Sequence, residues 1–394
     1  LTALKTATGW NTEAWKRPQT ISGDDDICES CKRRPAMETP QEDNIPLCRQ
    51  CRDDRALGRS LVKRDFVVTS LQQDLRYPLP TGSIDLTARI TEAERSAHLV
   101  LNMTDHIPER NDVPCVTLPR NTCVPLKDND SVQEFEDIAA QADGAPYLAY
   151  LKMDIDNLGF IFSHGLKAGG VNISRLSTLS RLVDYFFAGY LRSLLEKEFP
   201  ATYTVFSGGD DLFLIGPWNS VFDLALRIRQ DFRRFTCDNP AWGLSAGIAL
   251  SKPKTPLTHG RAAVEQRLAA AKEVPGKDRV TSLGVTLPWP EFEQALTQAK
   301  QLAAWTEQGI IGASQLRRLY HYGQILQRFQ QTGNTGLLTV IPQMIYDFTR
   351  NWQDKSEDQR RAKQWAHAFT NPEHPQIHLL GFMTQYAIYK NRKG

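Results

Sequence analysis

From Ser131 onward the chain alternates between two apolar periods. Tyr147 to Ile155 (YLAYLKMDI) is a nearly continuous apolar run of strand length that ends on Asp156-Asn157-Leu158-Gly159. Between Ser174 and Phe199, apolar residues recur at three- and four-residue steps (Leu176, Leu179, Leu182, Val183, Phe186, Tyr190, Leu191, Leu194 and Leu195), which predicts one long amphipathic helix. Two short β-prone runs follow, Tyr203 to Phe206 and Leu212 to Ile215. They flank Ser207-Gly208-Gly209-Asp210-Asp211, so an acidic pair falls at or beside a hairpin turn. A helix over 221–235, a strand over 244–250, a helix over 257–272 and a strand over 279–283 continue the series, and a short helix over 131–142 precedes it.

The order β-α-β-β-α-β, extended by one helix and one strand, is the ferredoxin-like arrangement used as the palm of polymerases and nucleotide cyclases. Past Pro290 strand periods give way to helical ones, including 316–329 and 337–352. Upstream, 23–65 is polar and punctuated by Pro35, Pro40 and Pro46, which discourage long helices. Residues 66–126 carry short β-prone runs such as Phe66-Val67-Val68-Thr69 and His98-Leu99-Val100-Leu101 between turns. The expected class is therefore α+β: a ferredoxin-like palm over 131–289, an all-α C-terminal domain over 290–394, a small zinc module over 23–65 and a strand-rich connector over 66–130. Residues 1–22 are expected to be the remnant of a preceding domain or a linker.

Composition narrows the classes. With 41% hydrophobic and 23% charged residues over 394 positions, wholesale disorder is excluded, and the chain has no apolar run long enough for a membrane span. A formal charge of +2 advertises neither nucleic acid nor membrane as a partner for the whole surface. The charge is unevenly spread, because residues 290–394 hold 12 Lys and Arg against 8 Asp and Glu, or +4, which leaves −2 for the remainder. The absence of a basic and apolar leader, with four of the seven cysteines in CxxC pairs, points to the reducing cytoplasm.

Those pairs are the clearest chemical signal. Cys28 and Cys31, then sixteen residues, then Cys48 and Cys51 match the spacing by which two tight turns present four thiolates to a tetrahedral Zn2+. Four thiolates close the coordination shell, so the site is expected to be structural. Cys115, Cys123 and Cys237 lack such spacing and read as small buried hydrophobes.

The second signal is acidic. Asp154 and Asp156 stand two apart at a strand end and are expected on one side of the sheet, while Asp210 and Asp211 lie on the following hairpin. If the two segments are sheet neighbours, their carboxylates converge, and hard divalent cations such as Mg2+ or Mn2+ would relieve the repulsion. Two ions about 3.5 to 4 Å apart could activate a hydroxyl and stabilise a leaving pyrophosphate. Asp, Asn and Gly are also ordinary turn formers. Gly208 and Gly209 leave room for a phosphate, and a plain hairpin turn accounts for them equally well. Lys272, Lys277 and Arg279 cluster around Pro275-Gly276 and suit a triphosphate or, alternatively, a helix C-terminus.

LKMDIDNLGFIFSHGL (151–166), TVFSGGDDLFLIGPW (204–218) and AAAKEVPGKDRVTSLG (269–284), behind a CxxC…CxxC module, resemble the large signature subunit of type III CRISPR interference complexes, the Csm type more than the Cmr type. The resemblance implies a second palm whose GGDD motif polymerises ATP into cyclic oligoadenylate messengers when the complex holds a target RNA. It implies Asp154, Asp210 and Asp211 as catalytic metal-binding residues, supported by Asp156 and by the Ile155 carbonyl. Ser207, Gly208, Gly209, Lys272 and Lys277 would contact ATP. Implied partners are crRNA, target RNA and the backbone, small and crRNA 5′-end-binding subunits, with the helical tail against protein neighbours and no membrane. Family members also carry an HD nuclease domain and a first palm; none of the 8 histidines here is followed by Asp, so single-stranded DNase activity is not assigned to this chain. Two other readings stand beside this one. A diguanylate cyclase usually has GGDEF or GGEEF where this chain has GGDDL, and a catalytically silent scaffold would bind only RNA and protein.

Overall fold

The computed structural model describes residues 27–37, 45–72, 74–79, 82–89, 97–104, 114–118, 120–129, 131–165 and 172–392. The stretch 1–22, expected to be a remnant or linker, lies outside them. The chain divides into two compact units, Leu1–Arg120 with Asp128–Val132, and Asn121–Lys127 with Gln133–Gly394.

In the first unit the cysteine turns lead into α1 (Arg49–Leu61), with Cys48 as its N-cap. This helix is longer than the prolines suggest. Pro35 and Pro46 both precede Arg49, so neither removes a hydrogen bond from it, and Pro40 is outside the described residues. Strands β1 (Phe66–Ser70), β2 (Tyr77–Leu79), β3 (Gly82–Thr87), β4 (Leu99–Asn102) and β5 (Cys115–Thr117) then form a five-stranded sheet of order β2-β3-β1-β4-β5. Cys115 on the edge strand β5 is exposed rather than buried, as is Cys237 in the second unit, where it has a left-handed φ of 52° just beyond a helix end; Cys123 is buried as expected.

The second unit opens with α2 (Phe135–Ala140) and β6 (Leu148–Ile155). After β6 a helical turn, Leu158–Phe160, runs into a π-helical turn, Ile161–Gly165. The long helix expected next is present with a change of phase. Its first segment α3 (Ile173–Asp184) passes through a π-helical stretch, Tyr185–Tyr190, into α4 (Leu191–Glu198). Leu176 and Leu182 are exposed, and burial begins only at Val183, because the apolar stripe meets the sheet only from that point on. Strands β7 (Tyr203–Gly208) and β8 (Asp211–Pro217), α5 (Trp218–Phe235), β9 (Leu244–Ser251), α6 (Leu257–Glu273), β10 (Arg279–Ser282) and β11 (Val285–Pro288) follow. The six-stranded sheet has order β11-β10-β9-β6-β8-β7. Its β9-β6-β8-β7 part is antiparallel throughout and has the ferredoxin-like order, while α6 crosses over to place β10 parallel to β9.

Alternation along β6 sorts the two faces. Ala149, Leu151, Met153 and Ile155 join Leu212, Leu214, Leu244, Ala246 and Ile248 in the main core, with Phe186, Phe187, Phe222 and Phe232 from the helices. The same core continues into α7 (Trp289–Glu307), α8 (Ala313–Thr332), α9 (Val340–Asn351), α10 (Glu357–Ala368) and α11 (Leu380–Asn391), so the helical tail and the sheet share one apolar interior. Trp218, Phe222, Phe292, Phe382 and Tyr386 form its aromatic joint. Leu148 and Tyr150 face the other way, with Phe213, Ile215, Ala249 and Val264, under α2 and α6.

Gly260 in α6 sits directly over the Tyr150 ring, where an added methyl would overlap the ring atoms. Helix propensity alone favours Ala over Gly by about 1 kcal/mol, whereas overpacking a filled site costs about 1 to 3 kcal/mol. Gly260→Ala should therefore destabilise the second unit, read as a lower denaturant midpoint; a raised midpoint would show that the ring yields freely.

Candidate functional site

The β7–β8 turn is tighter than the sequence suggests. Gly208 and Asp211 are paired across the hairpin, leaving Gly209 and Asp210 as its two central residues. Gly209 has φ 63°, the left-handed region that glycine enters without steric penalty. Its amide donates to Asp184 Oδ1 at 2.9 Å, so the last residue of α3 holds the turn. Ser207 is buried, donating through its hydroxyl to the Phe187 carbonyl at 2.6 Å and accepting at its own carbonyl from Asn121 Nδ2 at 2.6 Å. Its side chain thus anchors the strand and is not presented at the turn.

Asp211 opens β8 directly opposite Asp154 of β6, and Asp154 in turn lies opposite Ser245 of β9. The Ile155 amide donates to the Asp210 carbonyl at 3.0 Å, which ties the turn to the end of β6. Burial, with the negative charges of Asp154 and Asp210, pushes the Asp211 carboxyl above its usual range, while Lys152 and Lys272 oppose the shift. Lys272, near the end of α6, forms a hydrogen-bonded ion pair with Asp154. Lys152 lies two residues before Asp154 on the same face and bonds Glu265 of α6 at 3.2 Å.

Asp156 occupies a different slot. It lies one residue beyond β6, is only 2% exposed, and accepts at Oδ2 from the Ser245 hydroxyl and from the Asp278 amide, both at 2.9 Å. Burial raises its pKa against these hydrogen bonds and the Lys272 charge. Asp154, Asp210 and Asp211 are therefore brought together at the turn, and Asp156 braces the β9 side. Lys277 reaches Asn157 Oδ1 at 2.8 Å from the loop after α6. Asp184, Ser245, Lys152 and Asp278 were not singled out from sequence, since each is an ordinary polar residue within a helix, strand or loop until pairing sets it against the motif.

Among the described residues, one group of three or more His, Cys, Asp or Glu side chains has its ligand atoms within 4.8 Å of one another: Cys28, Cys31, Cys48 and Cys51. The Sγ atoms of Cys31 and Cys48 are 3.9 Å apart. Burial acts to raise the Cys28 thiol, yet backbone hydrogen bonds from Cys31, Cys48 and Ser30 outweigh it and bring its pKa down to about 6. Burial and the neighbouring Cys48 thiol push Cys51 up to about 12. Such a closed, all-thiol set has the chemistry of a structural zinc site. No helix among the described residues is long and apolar enough to cross a membrane.

A six-stranded sheet built on the β9-β6-β8-β7 order, with acidic residues from β6 and a Gly-Gly turn meeting at one end, is a palm domain. Residues 147–281 match the family model described as the Cas10/Cmr2 second palm domain. The chain is homologous to the Csm-type large subunit of type III CRISPR systems, the family its motifs resemble. It is 40% identical over 147 residues to the subtype III-A single-strand-specific deoxyribonuclease Cas10/Csm1 of Methanocaldococcus jannaschii, an alignment covering 33% of this chain and 18% of the relative. With the Enterococcus italicus protein of the same name it shares 31% identity over 247 residues, 61% of this chain and 31% of the relative. Similarity to the Cmr subunit Cmr2 of Pyrococcus furiosus is shorter, 32% over 105 residues, or 25% of this chain and 12% of that protein. The fold resembles a solved Csm1–Csm4 cassette in complex with pppApApA, with TM-score 0.64 and 19% identity over 87% of this chain and 51% of that one. The chain thus spans about half the length of the solved Csm1 chain and a smaller share of the curated relatives.

Replacing Asp184 by Ala removes the acceptor of the Gly209 amide, a bond worth about 1 kcal/mol. Hydrogen exchange in a peptide spanning 205–213 should then speed up by about fivefold with global stability little changed. Unchanged exchange would show that the turn is held by β7–β8 pairing alone.

Proposed function

We propose that this chain is the catalytic palm portion of a type III CRISPR effector subunit that converts ATP into cyclic oligoadenylates when the complex holds a target RNA. The observation that carries this reading is the pairing of Asp154 with Asp211 across β6 and β8 at the Gly209-Asp210 turn, beside Lys272. Structures of similar fold support a nucleotide ligand, since they are described as Csm1–Csm4 cassettes with one ATP, AMPPNP, pppApA, cA3 or cA4.

Burial and, after it, the like charges of Asp154 and Asp210 raise the Asp211 carboxyl, and this gathering of acids fits divalent cations held by Asp154, Asp210 and Asp211 with the Ile155 carbonyl. Bound Mg2+ or Mn2+ would neutralise these carboxylates and lower the pKa of an attacking hydroxyl. Asp156, held through Oδ2 by Ser245 and the Asp278 amide, contributes by fixing the end of β6, while its buried Oδ1 has no hydrogen-bond partner among the described residues. Gly208 and Gly209 keep the turn clear of side chains where phosphates approach. Lys272 and Lys277 present ammonium groups to the phosphate chain, and Lys272 exchanges its pairing with Asp154 for the incoming anion. The aligned reaction is attack of a ribose hydroxyl of one ATP on the α-phosphate of another, with pyrophosphate leaving.

In this reading the zinc module (23–65) and connector (66–130) lead into the palm (131–289), and the helical region (290–394) faces neighbouring subunits. The crRNA and target RNA are held by the whole ribonucleoprotein, including its backbone, small and crRNA 5′-end-binding subunits, because this chain carries a net charge of only +2. It acts in the cytoplasm.

In the assembled complex with target RNA, Mn2+ and labelled ATP or GTP, replacing both Asp210 and Asp211 by Ala should abolish oligoadenylate formation. The expected loss is about 3 kcal/mol or more in the barrier, while target-RNA cleavage by partner subunits persists. Oligoadenylates made at the parental rate by the double variant, or a parent that prefers GTP, would refute the assignment. Separately, metal analysis should find one Zn2+ per chain, with Zn–S distances of about 2.3 Å, and Cys28→Ser should lose the ion and lower the melting temperature. Zinc-free parent protein prepared without chelator would refute that site.

A further inference from the structure

Arg229, in the middle of α5, is 7% exposed, and its Nη2 donates to Asp278 Oδ2 at 2.6 Å. Its Nε and Nη1 are buried without a hydrogen-bond partner among the described residues, so Asp278 is the acceptor that balances its charge. A buried guanidinium held by one carboxylate is costly to a merely structural interior, where an apolar side chain of similar size would serve. The geometry beyond Asp278 gives the pair a purpose.

Asp278 is the junction of three segments. Its other carboxylate oxygen accepts from the Leu244 amide at the start of β9 at 3.0 Å, and its own amide donates to Asp156 Oδ2 at 2.9 Å. The preceding loop is not relaxed. Gly276, Lys277 and Asp278 all have positive φ, at 87°, 47° and 51°, and two successive non-glycine residues keep that conformation only when their surroundings hold them. Asn157, across from Lys277, also has positive φ, at 55°. The Lys277 ammonium bridges the two loops through Asn157 Oδ1. One chain of contacts therefore runs from α5 through Arg229 and Asp278 to Asp156, with Lys277 held between Asp278 and Asn157.

We propose that Arg229 is a positioning residue for the phosphate chain of the nucleotide, acting through Asp278 to hold the loop of Lys277 against Asp156 and Asn157. This inference rests on the nucleotidyl-transfer reading above and adds to it a buried cation that never touches the substrate. Lys277 lies on a loop of five residues between α6 and β10, with no regular hydrogen-bond ladder of its own, so its placement depends on the residue that follows it. Loosening that anchor weakens phosphate binding in the ground and transition states alike, which raises KM and spares kcat.

The test is ATP kinetics of the complete subunit in its assembled, target-bound complex. Arg229→Met should raise KM for ATP by about tenfold with kcat within about twofold, and Arg229→Lys should recover part of the loss. In a Lys277→Ala background, Arg229→Met should add less than about twofold, because both changes remove the same contact. Hydrogen exchange over 274–280 should rise in Arg229→Met. Should that variant fail to assemble, Arg229→Lys and Asp278→Asn carry the same comparison. An unmoved KM, a fall in kcat alone, or full multiplication of the Lys277→Ala and Arg229→Met effects would overturn the positioning role while leaving the function intact. A parent complex that makes no oligoadenylate would refute the functional reading and this role with it.

Discussion

The gathering of carboxylates at one end of a sheet governs this molecule. Asp154, Asp210 and Asp211 come from two strands and a turn that hydrogen bonding forces to be neighbours, and their mutual repulsion must be offset locally. The offset comes from α6, whose Lys272 pairs with Asp154 and whose Glu265 holds Lys152 in place. That helix can deliver a lysine there because it is the crossover between the parallel strands β9 and β10, and its C-terminal end necessarily returns to the edge where β10 begins. The cationic loop of Lys277 follows from the same path.

Support for this edge comes from both faces of the sheet. On one face, Tyr150 packs under Gly260 and fixes the height of α6 above β6. On the other, the aromatic core that contains Phe186, Phe187 and Phe232 fixes α5 and the π-helical stretch after α3, and with them Asp184 at the turn and Arg229 beneath the β10 loop. The helical tail shares that core through Phe292, Phe382 and Tyr386. A disturbance at the tail thus has a route of packed side chains to α5, on which the buried Arg229 pairs with the partly exposed Asp278. The four-cysteine cluster stabilises its segment by another principle. There an ion held by the four thiols would stand in for a core, since the three buried residues of that cluster are Cys28, Leu47 and Cys48.

Local pattern carried much of this. The alternation of strand and helix periods between Ser131 and Leu283 is dictated by which positions must be apolar, and it specified the ferredoxin-like order before any contact was known. The double CxxC spacing, and the Gly-Gly-Asp-Asp run beside a strand ending in Asp-Ile-Asp, are chemical signals that depend only on sequence separation. Tertiary structure decided what no spacing encodes. It shortened the hairpin turn to Gly209 and Asp210, set Asp156 against Ser245 and the Asp278 amide, and recruited Asp184 and Arg229 from helices whose polar residues look alike in sequence. It also left Leu176 and Leu182 exposed on a stripe that reads as buried, and Cys115 and Cys237 at the surface. The physical reason is common to all of these: periodicity states which face of an element is apolar, while the partner that a polar or apolar group meets depends on where distant elements are brought by sheet register and helix packing.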